Sequence, residues 1–184
     1  MIQKIRMKQE IKKNVLAMTF CFGTWILAVL FLISHMELGI EAIAAVLLIT
    51  IQLISSIIDL YSRTIPLKLM ISGLVVGLLT FIIFYKTSVL INCILGGVTA
   101  FVLMMLLILI SRRQVGGGDL TLMTVTGFFA GINTFFSILF ISIVLAAMYS
   151  IFLVIIKKGN KKTEIPFAPF ILFATVICVL SGIR

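Results

Sequence analysis

Apolar runs of about 18 residues or more, the length a helix needs to cross hydrocarbon, recur from Val15 to the C-terminus. A short polar stretch breaks each run. The pattern predicts helices over 14–34, 39–59, 66–84, 88–111, 119–131, 133–157 and 165–183. In lipid every backbone N–H and C=O must find a partner within the segment, so long apolar runs are spanning helices. The period-2 alternation of a membrane barrel is absent. The expectation is an all-α polytopic transmembrane bundle of about seven spanning or partly spanning helices in one domain, 1–184.

The stretch from Asp119 to Ile156 is apolar enough for one very long helix. One crossing, however, sends Lys157, Lys158, Lys161 and Lys162 to the opposite side from the other basic loops. Two crossings keep them together, and Gly131-Ile132-Asn133-Thr134 is the plausible turn. The first of the two is then only roughly 20 Å long against a core of about 30 Å. Asp119, at its start, is therefore expected to lie in a polar recess below the membrane surface.

Charge sharpens this picture. The formal net charge is +9 with only 11% charged residues, and 62% of the chain is hydrophobic. Alternating crossings from a cytoplasmic N-terminus place all of the 15 Lys and Arg inside except Lys86 and Arg184. That bias is the positive-inside signature, and it explains the basic excess better than nucleic-acid binding does. The N-terminal segment, basic and then apolar, resembles a signal peptide, but Val15 to Ile33 is long for one, and a retained first helix over 14–34 is expected. Cys21, Cys93 and Cys178 all fall inside apolar runs without metal or disulfide spacing, and are expected to pack as small hydrophobes. Gly73-x-x-x-Gly77 and Gly127-x-x-x-Gly131 are expected to be close-packing helix faces.

Of the six acidic residues, Asp59 and Asp119 each abut a long apolar segment, where an ionisable group is costly and usually functional. The topology puts both at the cytoplasmic face. Two carboxyls brought together can share a proton, one serving as base on a water while its protonated partner polarises a carbonyl. The plainer alternative pairs Asp59 with Arg63 and leaves Asp119 capping its helix opposite Arg112 or Arg113. Gly116-Gly117-Gly118, directly before Asp119, permits close approach by another chain, although it also suits a flexible loop. The only histidine, His35, lies on the other side of the membrane, which removes Ser-His-Asp and Cys-His sets. A Ser-Lys pair from Ser62 and Lys68 has no spacing to recommend it. Zincin and phosphate-loop motifs are missing.

Ile58-Asp59 followed by Arg63-Thr64-Ile65-Pro66 resembles the first aspartate motif of the type IV prepilin peptidases. Gly116-Gly117-Gly118-Asp119 is similar to their GxGD motif, and Ile165-Pro166-Phe167-Ala168-Pro169-Phe170 to their Pro-Phe-Gly-Pro segment. The three stand in the family's order across a motif-bearing core, 57–175, behind an extra N-terminal helix. The resemblance implies an aspartic endopeptidase of the cytoplasmic membrane, cutting the leader from prepilin-like or pseudopilin-like substrates with its active site facing the cytoplasm. It makes Asp59 and Asp119 the catalytic pair, with Gly116, Gly117, Gly118, Pro66, Pro166 and Pro169 shaping the site or binding substrate. No metal and no cofactor are required, and the partners are the substrate and the bilayer. This chain departs from the pattern at Leu67, often Asn, at Thr121, often Lys, and at Ala168, usually Gly. Bifunctional members carry a cytoplasmic cysteine-rich loop and N-methylate the new terminus; the short external turn after the first helix here points to the peptidase-only type. Two other uses of the aspartates compete: a small ion- or proton-coupled transporter, and a non-catalytic pilus or secretion assembly factor.

Overall fold

A computed structural model describes residues 2–35, 40–84, 87–110, 116–156 and 166–182. Six helices follow one another: α1 Ile2–His35, α2 Ile40–Ser62, α3 Leu67–Phe84, α4 Thr87–Ile110, α5 Gly117–Ile155 and α6 Ala168–Leu180. Among the described residues there is no strand. Helices α1, α2, α4 and α5 are long and apolar enough to cross a membrane, while α3 and α6 are shorter apolar helices. Large apolar side chains such as Leu30, Phe140 and Ile155 stay exposed around the bundle. A water-soluble protein does not present so much apolar surface, and here it is the face offered to lipid. The chain is an all-helical polytopic membrane protein.

Two boundaries differ from the sequence expectation. Helix α1 begins at Ile2 and not near residue 14, so the basic segment is helical too. Its Gln, Lys, Arg and Met residues are good helix formers, and a helix does not stop where hydrocarbon does. The second difference is the length of the turn in α5: the two helices expected there are present, but the turn expected over 131–134 is reduced to a single non-helical residue, Gly131, with φ 74 and ψ 173.

That residue reverses the chain. A straight helix of 39 residues is about 58 Å long, nearly twice the hydrocarbon thickness. Instead Tyr149 returns to stack beside Phe170 at the start of α6, ring centroids 5.5 Å apart. Ala168, two residues earlier, donates its N–H to Asp59 near the end of α2. Asp119, at the start of α5, also lies at this end, because its neighbour Gly118 packs on Ile65 in the turn that follows α2. The legs 117–130 and 132–155 therefore run antiparallel, so the described residues form seven helical segments. Only glycine adopts this backbone readily. A Cβ on Gly131 would stand 2.6 Å from Asn92 Nδ2, whose Oδ1 accepts the Ile132 N–H at 3.4 Å.

Small residues let the passes close up. A Cβ on Gly127 would lie 2.5 Å from the Gly96 carbonyl oxygen and 2.7 Å from Ala100 Cβ, so α4 and the first leg of α5 touch backbone to backbone. Gly77 takes the ring of Phe129, and Gly73 takes Ile51, as expected of close-packing faces. Phe81, Phe128 and Phe129 meet edge to face between α3 and α5. Helix α1 lies against α2 and α6 through Cys21, Ala28 and Leu32, with Trp25 Nε1 donating to Thr50 Oγ1 at 3.2 Å. Cys21, Cys93 and Cys178 are free and buried, as packed hydrophobes should be. Lys86, Arg112, Arg113, Lys157, Lys158, Lys161, Lys162 and Arg184, on which the expected sidedness depends, lie outside the described residues.

Candidate active site

Asp59 sits one turn before the end of α2, 6% exposed. Past it the helix closes with the Arg63 N–H donating to the Asp59 carbonyl at 3.0 Å, and Arg63 takes a left-handed φ of 53. A non-glycine residue there costs on the order of 1–2 kcal/mol. The turn it makes swings Thr64, Ile65 and Pro66 back across the bundle end. Ser62 Oγ braces it, donating to the Ile58 carbonyl at 2.9 Å with the Thr64 carbonyl 3.2 Å away. That commitment leaves Ser62 poorly placed as a nucleophile. Pro66 is exposed, and its carbonyl accepts the Leu69 N–H at 3.1 Å to start α3.

Asp119 enters from the first turn of α5 and is half-buried. The helix starts at Gly116, extended at φ −71 and ψ 145, whose carbonyl accepts the Asp119 N–H at 3.1 Å. Gly116 has no side chain with which to cap this terminus, and its backbone amide instead acts on the Asp119 carboxyl, so the capping role that the plainer reading gave Asp119 fits the structure and is compatible with a place in the site. The three glycines divide the work. Gly116 and Gly117 are exposed, and a Cβ on Gly117 would meet nothing within 4 Å. Gly118 is pressed against the returning loop, where a Cβ would be 2.9 Å from Ile65 Cβ and 3.3 Å from Ile65 N. The residue after the first aspartate's turn thus rests on the residue before the second aspartate.

The third motif completes the site. Phe167 begins α6 and has no capping side chain, and Pro169 in the first turn has no N–H to satisfy. The free Ala168 N–H instead donates to Asp59 Oδ2 at 3.1 Å, with the Phe167 amide also acting on that carboxyl. Helix N-termini favour such an acceptor because their first amides are unpaired and their dipole is positive. Ala168 is fully buried, so its methyl group, where glycine is usual, fits the packing and leaves the donor in place. Pro166 and Pro169 flank this contact. Thr121, where Lys is frequent, turns its hydroxyl onto the Gly118 carbonyl at 2.8 Å. Leu67, the third departure, is exposed.

The two aspartates, the Ile65–Pro66 turn, the glycine run and the start of α6 therefore share one end of the bundle. Arg63 also acts on Asp59 through its charge. Arg112 and Arg113, the alternative partners of Asp119, lie outside the described residues. Among the described residues no group of three or more His, Cys, Asp or Glu gathers to hold a metal ion. Sequence reasoning missed the Ala168 amide, because a backbone donor leaves no mark in the residue type. It also passed over Gln52, Thr126 and Thr175, buried polar residues inside apolar runs. Their signal was available: a polar side chain in mid-membrane needs a partner.

Comparison with known proteins bears on the family. No solved structure is significantly similar to the chain. A curated protein of Bacillus subtilis (strain 168), named prepilin leader peptidase/N-methyltransferase, is 27% identical over 164 residues, which cover 84% of this chain and 63% of that relative. Residues 46–151, which contain both aspartates and the glycine run, match the type IV leader peptidase family. With more than half of its length matched and the motifs of Asp59, Asp119 and Ala168 gathered at one end, the chain belongs to the type IV leader peptidase family.

Proposed function

We propose that this chain is a membrane-embedded aspartic endopeptidase that removes the leader of type IV prepilin-like or pseudopilin-like proteins at the cytoplasmic face of the cell membrane. The observation that carries the reading is that separate helices deliver Asp59 and Asp119 to one end of the bundle, where Gly118, beside Asp119, packs on Ile65 of the turn that follows Asp59. Two carboxyls with one shared proton supply both halves of peptide hydrolysis. The ionised carboxylate takes a proton from water as the water oxygen bonds to the scissile carbonyl carbon. The protonated partner gives its proton to the carbonyl oxygen. When the tetrahedral diol collapses, the C–N bond breaks, the departing nitrogen leaves as an amine with a proton from the first carboxyl, and one diol hydroxyl returns its proton to the second carboxylate as the carbonyl re-forms. Neither a metal nor a cofactor enters the cycle.

The surroundings suit that chemistry. The Ala168 N–H holds one oxygen of Asp59 and so fixes its orientation. Asp119 is partly exposed beside the open Gly116–Gly117 backbone, which leaves room for water and an extended substrate strand. A leader peptide joined to an apolar helix fits a site at one end of a bundle, with the scissile bond at the rim and the helix in lipid. The chain acts as a peptidase without N-methylation in this reading, with α1 an addition to the motif-bearing core.

The test is co-expression with a prepilin-like substrate in a host lacking its own prepilin peptidase. Wild type should release the leader, whereas Asp59→Asn and Asp119→Asn, at equal membrane levels, should each lose cleavage. Persistent cleavage in either variant removes that residue from catalysis. Blocked ion movement with no cleavage by the wild type would favour transport instead.

A further inference from the structure

Two helical turns inward from the aspartates lies a second polar layer. Gln52 is fully buried in α2, and its Nε2 donates to Thr126 Oγ1 of α5 at 3.0 Å and to Thr175 Oγ1 of α6 at 2.9 Å. Each hydroxyl spends its own proton on its helix, on the Leu122 and Ile171 carbonyls, both at 2.9 Å. The hydroxyl oxygens can therefore only accept, and both amide hydrogens of Gln52 are committed. Its Oε1 is buried with no hydrogen-bond partner.

The register of this layer repeats the register of the site. Gln52 stands seven residues before Asp59, Thr126 seven after Asp119, and Thr175 seven after Ala168. Seven residues return a helix to nearly the same face, about 10 Å along its axis. Helix α2 runs opposite to the first leg of α5 and to α6, so the two layers are parallel rungs across the same three helices. The space between them is filled by Ser55, Ser56, Leu122, Met123, Ile171 and Leu172, all fully buried, which transmits position without slack.

We infer that Gln52 is a positioning residue that sets the separation of the two aspartates by pinning α5 and α6 to α2 at once; this rests on the peptidase reading above. In lipid no hydrophobic force drives helices together, and their relative placement depends on packing and interhelical hydrogen bonds. A single amide whose two hydrogens diverge fixes two neighbours in one geometry. The unpaired Oε1 argues for that role over a stabilising one. A buried acceptor without a donor is costly, and an apolar layer of the same shape avoids the cost.

The experiment uses the full chain in lipid nanodiscs, comparing wild type with Gln52→Leu and with the all-apolar layer Gln52→Leu/Thr126→Val/Thr175→Val. The triple variant leaves no buried polar group stranded, so it folds even if the single variant does not. Thermal midpoint and KM should hold in the triple variant, while kcat falls ~10–100-fold through misplacement of the carboxyls. A second readout needs no activity. In chains with Cys21, Cys93 and Cys178 replaced by Ala, Asp59→Cys and Asp119→Cys are cross-linked with a short bifunctional thiol reagent, and the apolar layer should slow or abolish the cross-link. Unchanged kcat and cross-linking in the triple variant would overturn the inference while leaving the peptidase reading intact. A wild-type chain that never cleaves, but whose cross-link depends on Gln52, would sink the peptidase reading and keep the positioning role.

Discussion

Substituting Gly118 by Ala tests how the two aspartate motifs are held together. The new Cβ would lie 2.9 Å from Ile65 Cβ and 3.3 Å from Ile65 N. Carbon atoms settle at about 3.5–4.0 Å, so one partner must retreat by roughly 0.5–1 Å. Ile65 cannot swing aside, because the obstructing atoms are its own Cβ and backbone and the next residue is Pro66, whose ring fixes φ. The shift falls on the start of α5, and Asp119 moves with it. Overpacking of this kind costs about 1–3 kcal/mol of stability. A displacement near 1 Å in a site of this type lowers kcat by up to ~10²-fold. The assay is leader release by purified protein in detergent, with thermal unfolding measured in parallel. Gly117→Ala is the control for stability: its Cβ meets no protein atom within 4 Å, and its unfolding should stay within about 0.5 kcal/mol of wild type. Adding Ile65→Gly to Gly118→Ala removes the closest atom and should restore part of the rate. Equal stability of the Gly117 and Gly118 variants would refute the reasoning.

Further outcomes follow from other contacts. Gly131→Ala places a side chain at φ 74 against Asn92 and should lower stability by about 1–3 kcal/mol in detergent unfolding, with Asn92→Ala losing about 1 kcal/mol or less. Ala168→Gly keeps the N–H that Asp59 accepts, so cleavage should persist while the lost buried methyl costs about 1 kcal/mol of stability. In a chain without its native cysteines, Gly117→Cys should react with an impermeant maleimide only from the cytoplasmic side of sealed vesicles; labelling from the opposite side would invert the proposed orientation.

The linear pattern was enough for the membrane class, for about seven helical segments, and for the approximate ends of α2, α3 and α4, because hydrocarbon imposes length and polarity on each segment separately. Asp59, Asp119 and the glycine run were equally visible, since charge and glycine are conspicuous in an apolar chain. Local pattern also suggested a break near Gly131, but charge balance across a membrane had to argue for it. The tertiary structure compressed that break into one left-handed residue and showed why it holds: Asn92, from another helix, occupies the space a Cβ would need. Sequence could not say that Ile65 rests on Gly118, that an amide at the start of α6 holds Asp59, or that Gln52 joins three helices. Each of these contacts links residues more than fifty positions apart, and a contact of that range depends on how helices are placed against one another. Within a single helix, residue type and spacing carry the information; between helices, it resides in packing.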